Sequence, residues 1–283
     1  MLRSMKSMEN YAIAATDGVI GHVKDFYFDD AAWVVRYLVV ETGDWLAHRK
    51  VLVSPISVGE PNWTDKTFPV SISQAQVKAS PNIDTDKPVS RQHEEGYLRY
   101  FDYPYYWGGT SLWGGGLYAG SLVYENPNYG SAAYDAEALA ARHTEAASAQ
   151  RHGHDNPHLR SGNTVMHYNV HATDGDIGRV KGLLIDEKTW AIRYLVVSTG
   201  NWWGGHDVLI APEWIDDINW SEGRLVVDLS RQAIKDSPPY DAEKTLTRDL
   251  ESGTCKHYGR DGYWPREAGH VPSRPTAGLG GSS

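Results

Sequence analysis

The sequence predicts a mainly β protein that consists of two small antiparallel barrels in tandem, each followed by a short C-terminal helical arm. Three observations support this fold class: an internal repeat, short runs of β-branched and aromatic residues between turn signals, and capped helix-forming segments after the runs. Residues 2–107 align with residues 159–264 at a constant offset of 157, without a gap and with 39 identities in 106 positions. Such a repeat indicates that one structural unit is used twice.

The repeat divides the 283 residues into four segments. Residues 1–107 form the first repeat and residues 159–264 the second, and each is long enough to bury a small core. Residues 108–158 are an insertion rich first in Gly, Tyr and Trp, then in Ala, then in His, and we expect a linker. Residues 265–283 are expected to form a disordered tail.

Within a repeat, the strands come first. In repeat 1 they are predicted at 11–16, 20–29, 33–41, 51–55, 57–63 and 67–72. Asp17-Gly18 and Asp174-Gly175 are turn signals between the first two strands of each repeat. Gly21 and Gly178 lie inside a predicted strand, which indicates a bulge or bend of the kind that closes a small barrel. Short strands joined by tight turns favour antiparallel pairing over βαβ units.

The helices follow the strands. Short helices are predicted at 73–79 and 230–236, and the longer arms at 89–101 and 246–258. Ser90 and Thr247 are suitable N-caps for the arms, because a side-chain hydroxyl can accept from a free N–H of the first turn.

Charge and composition exclude several classes of protein. The net charge is −9 and no segment is basic, which argues against nucleic-acid binding and against an electrostatic membrane anchor. The apolar runs are too short to span a bilayer, and the N-terminus has no signal-peptide pattern. With one cysteine, Cys255, no intrachain disulfide can form. We therefore expect a cytoplasmic protein without a membrane span.

Three sequence blocks in each repeat resemble the PRC-barrel family. They are DGVIGHVKDFYFDD, VRYLVVETG and VLVSP at 17–30, 35–43 and 51–55, and DGDIGRVKGLLIDE, IRYLVVSTG and VLIAP at 174–187, 192–200 and 208–212. This family includes the cytoplasmic domain of the photosynthetic reaction-centre H subunit and the C-terminal domain of a ribosome maturation factor. The resemblance implies a compact barrel that acts as a docking module, and it supplies no catalytic residues. The N-terminal transmembrane helix of the H subunit has no counterpart in this sequence.

Aromatic residues are the predicted partner-binding positions. Trp45, Trp202 and Trp203 lie on corresponding turns, and Tyr106 and Trp107 follow the first arm. Tryptophan and tyrosine are typical energetic centres of protein interfaces, which favours a contact with another protein. The alternative is that these rings only cap the open ends of the barrels.

Arg36 and Arg193 are candidate ligand-binding residues, because each lies in a predicted half-buried strand. A guanidinium group there can hold a carboxylate of a ligand or partner with two hydrogen bonds. The alternative is an internal ion pair, with Asp29 or the Asp17 turn in repeat 1 and with Asp186 or the Asp174 turn in repeat 2.

Histidines give a weak metal-binding hypothesis. His152 and His154 lie in the linker, and His167 and His171 are four residues apart at the start of repeat 2. Imidazole groups bind transition metals, but no CxxC or HExxH motif accompanies them. A solvated linker segment and a strand edge are the alternative interpretations.

No motif indicates catalysis. Cys255 and His257 are two residues apart on a predicted helix and therefore do not face each other, and no nucleophile-elbow or triad pattern is present. We expect a non-enzymatic adaptor or assembly module without a cofactor, which binds another protein and forms a homodimer through open strand edges. The alternatives are a small-ligand or metal-binding regulatory protein, and a soluble relative of the H subunit linked to photosynthetic electron transfer.

Overall fold

The computed structural model describes residues 1–81, 89, 91–107, 111–120, 158–200, 205–264 and 267, without the side chains of residues 91 and 92. Two sheets dominate this part of the chain, so the predicted mainly β class is confirmed. None of the described helices has the length and apolar character that crossing a membrane requires.

The two repeats contain matching elements. Repeat 1 contains, in order, β1 (Leu2–Ser4), α1 (Met5–Met8), β2 (Ala12–Ala15), β3 (Gly18–Asp29), β4 (Val34–Thr42), β5 (Lys50–Val53), β6 (Thr67–Pro69), α2 (Gln74–Ala79) and α3 (Arg91–Tyr100). Repeat 2 contains β7 (Leu159–Ser161), α4 (Gly162–Val165), β8 (Asn169–Ala172), β9 (Gly175–Asp186), β10 (Ile192–Ser198), β11 (Asp207–Ile210), β12 (Ile215–Asn219), β13 (Arg224–Val227), α5 (Arg231–Lys235) and α6 (Arg248–His257).

One predicted strand is missing from repeat 1. A 3-10 turn at Pro55–Ser57 is followed by two isolated bridges, at Val58 and at Asn62. The corresponding part of repeat 2 forms β12. The physical reason is composition: repeat 1 has Gly59 and Pro61 where repeat 2 has Asp216 and Ile218. Proline lacks the N–H that a ladder needs, and glycine weakens a strand.

Each sheet is open rather than a closed barrel. The strand order is β5-β4-β3-β2-β6 in repeat 1 and β11-β10-β9-β8-β13-β12 in repeat 2. Most neighbours are antiparallel as predicted, but β2 pairs with β6 and β8 with β13 in parallel. These parallel pairs correct the purely antiparallel prediction.

The predicted bends at the strand glycines are confirmed. The register of β2 against β3 shifts between Ile13 and Ala14, and Ile13 is paired with Gly21. A Cβ atom on Gly21 would lie 2.0 Å from the Glu41 carbonyl oxygen, and one on Gly178 would lie 1.9 Å from the Ser198 carbonyl oxygen. Only glycine allows the two strands to approach so closely.

The repeats exchange their first strands. β1 pairs with β9 of the other repeat, and β7 pairs with β3. Beside this exchange, the Val35 N–H donates to the Trp190 carbonyl oxygen (2.9 Å) and the Ile192 N–H donates to the Trp33 carbonyl oxygen (2.7 Å). The same contacts occur on both sides, so the two repeats form an approximate two-fold pair within one chain.

Two arginines fasten the exchanged strands. Arg3 lies 3.6 Å from the ring centre of Trp63 in its own repeat, and its Nε donates to Glu187 of the other repeat (2.9 Å). The same residue in repeat 2, Arg160, lies over Trp220 (4.2 Å) and donates to Asp30 of repeat 1 (2.7 Å). Each arginine therefore combines a cation–π contact with an ion pair across the junction.

The hydrophobic core is continuous through both repeats. Trp190 of repeat 2 packs against Phe68 of repeat 1, with ring centres 5.8 Å apart. The arms α3 and α6 begin and end within two residues of the predicted bounds. The predicted cap Thr247 accepts from the Leu250 N–H (3.4 Å), whereas Ser90 lies outside the described residues.

Candidate functional site

Arg36 lies in the core of repeat 1, with 3% of its surface exposed. Its Nη1 donates to the Leu112 carbonyl oxygen (2.7 Å), and its Nη2 donates to Asp29 Oδ2 (3.5 Å). The guanidinium carbon lies 3.9 Å from the ring centre of Tyr106. The internal ion pair with Asp29 is therefore present, whereas Asp17 accepts from the first N–H of α2.

Arg193 is also buried but makes different contacts. Its Nη2 donates to Thr189 Oγ1 (3.1 Å) and to the Glu267 carboxylate. Asp186 and Asp174 accept from nearby backbone N–H groups instead. The predicted pairing of Arg193 with either aspartate is therefore wrong, because Thr189 and Glu267 supply the acceptors for its guanidinium group.

Sequence reasoning missed a buried glutamate on each arm. Glu94 is 0% exposed and accepts from the Tyr106 hydroxyl and binds His158 Nε2 (2.6 Å). Its counterpart Glu251 is 3% exposed and accepts from the Tyr263 hydroxyl (3.1 Å). The available signal was that both copies keep the glutamate and the tyrosine at the same offset.

These carboxylates attach the arms to the barrels. Burial raises the pKa of Glu251, and the nearby Arg248 (3.1 Å) opposes that rise. Burial is likewise the main cause of the raised pKa of Tyr37, with the Glu94 charge adding to it. A buried carboxylate needs such partners, because its desolvation is costly. The clusters therefore support the fold first.

The predicted partner-binding aromatics are placed as follows. Trp45 is half-buried and its Nε1 donates to the Ile20 carbonyl oxygen (2.7 Å), so it packs on its own barrel. Tyr106 is 3% exposed. Trp107 is half-buried and stacks on Tyr105, with ring centres 4.4 Å apart. Trp202 and Trp203 lie outside the described residues.

The predicted metal ligands do not come together in the described part of the chain. His171 Nδ1 lies 2.7 Å from Asp176 Oδ1, and His167 is exposed. No group of three His, Cys, Asp or Glu residues there could hold an ion. His152 and His154 fall outside the described residues.

Cys255 and His257 have separate surroundings. The thiol lies 3.9 Å from the Tyr194 hydroxyl, and burial raises its pKa, which favours the neutral thiol over the nucleophilic thiolate. His257 Nε2 lies 2.7 Å from the carbonyl oxygen of Ala233 on α5. The arrangement does not make the histidine a base for the cysteine.

A cleft of 660 Å³ opens at the junction of the repeats, and we call it the junctional cleft. Repeat 1 contributes residues 30–33, and the insertion contributes Leu112. Repeat 2 contributes residues 191–194, residues 211–218, Trp220, Cys255 of the arm and residues 261–263 after it. Its apolar floor contains Trp33, Leu112, Ile192, Trp214, Ile218 and Trp220.

The rim of the junctional cleft is acidic. Glu213, Asp216, Asp217 and Asp261 are exposed around it. Among the described lining residues, Arg193 is the single basic side chain, and it is held by Glu267. The rim therefore creates a negative potential above an apolar floor.

The approximate two-fold symmetry of the repeats predicts a second cleft on the opposite side, and a segment of the chain occupies part of it. Residues 111–120, the plug segment, lie there: Trp113 is 0% exposed, and its Nε1 donates to the Thr189 carbonyl oxygen (2.9 Å). Ala119 is 2% exposed. A space of 400 Å³ remains, lined by Pro55, Val58, Gly59, Glu60, Pro61, Tyr118, Ala119, Gly120, Glu187, Lys188 and Trp190.

Comparison with known proteins agrees with the fold. No curated protein matches the chain at a significant level. The sequence model of the PRC-barrel domain matches residues 7–71 and again residues 166–234. The matches cover β2 to β6 and β8 to β13, and they leave out the exchanged strands β1 and β7. The chain therefore carries the PRC-barrel domain twice and is a tandem PRC-barrel protein.

Proposed function

We propose that this tandem PRC-barrel protein is a non-enzymatic adaptor that binds another protein at the junctional cleft. One observation carries the proposal: the plug segment places Trp113 and Ala119 in one of two equivalent clefts, whereas Leu112 is the single described plug residue that lines the other. An apolar floor inside a polar rim is the usual anatomy of a protein interface.

The exchanged strands support the same proposal because they fix both walls of the cleft. Trp33 belongs to repeat 1 and Trp214 to repeat 2, and both are buried. The hydrogen bonds between the repeats hold these walls at a set distance. A preformed site loses less conformational freedom on binding than one that has to assemble.

The predicted contact through Trp202 and Trp203 stays a prediction. Trp45 and Tyr106 contribute to the fold instead, which favours the alternative that these two rings cap their own barrel. The homodimer also stays a prediction, but one argument for it is weaker. β1 and β7 lie along β9 and β3, so the chain itself covers edges that a second copy was expected to cover.

A second candidate function is a small-ligand regulator, and one observation favours it. Arg193 lines the junctional cleft and supplies a buried cation there. Glu267 already compensates its charge, so a carboxylate ligand has to displace that side chain. A soluble relative of the H subunit linked to photosynthetic electron transfer also stays a prediction, based on the shared domain.

The proposed function is tested by affinity recovery of partners from the native lysate. The rim variant Asp216→Lys plus Asp217→Lys replaces two of the four rim carboxylates with ammonium groups, which removes the net negative charge of the rim. The control variant Glu243→Lys plus Asp249→Lys makes the same charge change at exposed positions of repeat 2 outside the cleft. We expect mass spectrometry to find proteins that wild type and control retain and the rim variant loses. Recovery of the same proteins by all three chains contradicts an adaptor that uses this cleft.

A further inference from the structure

The plug segment shows how the second cleft, which is equivalent to the junctional cleft, binds a polypeptide. Its Trp113 ring lies 4.7 Å from the Arg36 guanidinium, and the ring N–H donates to the Thr189 carbonyl oxygen of the other repeat. The Leu112 carbonyl oxygen accepts from Arg36 (2.7 Å). The Trp113 ring also lies 6.2 Å from the Tyr106 ring, measured between ring centres. One buried tryptophan and one backbone carbonyl thus contact a cation, an aromatic ring and a carbonyl of the cleft.

The junctional cleft presents the same receiving groups. At the offset of 157, Arg193 and Tyr263 correspond to Arg36 and Tyr106. Arg193 lies 4.0 Å from the Tyr263 ring centre, as Arg36 lies 3.9 Å from that of Tyr106. Ala32 corresponds to Thr189 and lines the cleft. A segment that resembles the plug therefore finds the cation and the aromatic ring in equivalent positions, although its backbone carbonyl has to share Arg193 with Glu267.

The two clefts differ in charge. The rim positions Glu213, Asp216, Asp217 and Asp261 correspond to Ile56, Gly59, Glu60 and Pro104 in repeat 1. Four carboxylates therefore surround the open cleft, whereas one carboxylate occupies the same four positions beside the neutral plug. Complementary charge steers a partner and selects it. The open cleft thus favours a segment with positive charges.

We infer that the partner inserts an extended segment with a tryptophan anchor flanked by lysine or arginine. The inference rests on the proposed function and names the chemistry of the bound segment. At the offset of 157, the plug segment corresponds to residues 268–277. Their sequence, AGHVPSRPTA, contains no Trp, Tyr or Leu. A partner protein therefore supplies the anchor better than the chain itself does.

The test measures binding of a labelled peptide to the full-length protein by fluorescence anisotropy. The peptide carries the sequence of residues 111–120 between two lysine pairs. We expect saturable binding to wild type and to the Glu243→Lys plus Asp249→Lys control. Binding to the Asp216→Lys plus Asp217→Lys variant should be about tenfold weaker or more, because the cationic flanks lose their carboxylates.

Two matched peptides test the two features separately. Replacing the tryptophan by alanine, or the four lysines by glutamates, should each weaken binding to wild type by about tenfold. Equal binding of all three peptides, or none by the first, overturns the inference. If the lysine peptide fails while the rim variant loses its cellular partners, the adaptor function stands and the segment chemistry is wrong.

The chain's own tail is the competing occupant. A chain that ends at Glu267 should bind the lysine peptide as wild type does. If the shorter chain binds the peptide with about tenfold higher affinity, residues 268–283 are the occupant of the cleft, and the inference of a partner segment is overturned.

Discussion

At the scale of single residues, the glycines of the long strands decide how each sheet bends. Gly21 and Gly178 occupy the same position of the two repeats, and each approaches a carbonyl oxygen of the neighbouring strand too closely for a Cβ atom. The backbone on both sides is part of the central strand pair, so neither side can yield without loss of ladder hydrogen bonds.

We expect Gly21→Ala to lower the free energy of unfolding by about 3 kcal/mol, because the added methyl group forces β3 and β4 apart. The measurement is urea denaturation followed by circular dichroism, with the slope of the transition checked for change.

Gly43→Ala is the matched control for this substitution. No heavy atom lies within 4 Å of a Cβ atom at Gly43, so the change should move the midpoint little. Equal effects of the two substitutions show that the loss at Gly21 has another cause than the close approach of the strands.

The buried glutamates show that the local sequence does not reveal whether a charged residue is buried. Glu94 stands beside Glu95 in a strongly polar arm, and nothing in the local pattern separates the fully buried residue from its half-buried neighbour. What distinguishes Glu94 is a tyrosine twelve residues later and a histidine from the far side of the linker. Only the recurrence of the Glu and Tyr pair in repeat 2 carried that information.

At the scale of elements, local patterns predicted most strands because each has its own run of apolar residues. β4 and β10 contain the Arg-Tyr-Leu-Val-Val run, and the bounds of β4 differ by one residue from the predicted 33–41. β1 and β7 are three residues long, with the sequence Leu-Arg-Ser, and have no such run. Their structure depends on a strand of the other repeat, so the identity of the two tripeptides was the only signal.

The junctional cleft could not be predicted from the sequence, because it too depends on contacts between the repeats. The junctional cleft has walls from both repeats, and its position follows from the strand exchange. The acidic residues Asp216 and Asp217 were visible, but without the exchange they were only polar residues of a predicted strand. The resemblance to the PRC-barrel family gave the fold of each repeat and not the way the two pack.

The short helices α1 and α4, which follow the exchanged strands, provide a test at this scale. Met5 on α1 is 0% exposed, and its sulfur would lie 2.4 Å from a Cβ atom on Gly162 of α4. Gly162→Val should therefore destabilise the protein by about 1–3 kcal/mol through overpacking. Met5→Ala alone should cost about 2–5 kcal/mol through the cavity that it leaves.

Combined in one chain, these two substitutions should cost clearly less than their sum, because the valine fills space that the methionine vacates. Urea midpoints of the four chains complete the double-mutant cycle. Additive effects mean that the two helices do not touch and contradict the strand exchange.

At the scale of the whole molecule, the two repeats resemble a dimer joined into one chain, with one difference between the halves. The plug segment occupies the second cleft with Trp113 and Ala119. This segment belongs to the insertion between the repeats. In the described part of the chain, the duplicated unit thus has an asymmetric surface, because Trp113 and Ala119 lie in one cleft and only Leu112 of the plug segment lines the other. The core is shared across the junction, so the halves should not unfold independently.

We expect a single cooperative unfolding transition that a change in either repeat shifts as a whole. Gly178→Ala lies in repeat 2, yet it should reduce the hydrogen-exchange protection of β3 and β4 by the same factor as that of β9 and β10. The reason is that β7 and β1 are paired with the opposite sheets, so neither sheet keeps its full ladder once the other has unfolded.

Gly253→Ala is the control for this measurement, since no heavy atom lies within 4 Å of a Cβ atom there. It should leave the protection of both repeats unreduced, because alanine favours a helix more than glycine does. If Gly178→Ala lowers protection in repeat 2 while β3 and β4 keep theirs, the repeats are independent domains. The cleft walls are then free to move apart, and the preformed site that the adaptor function requires does not exist.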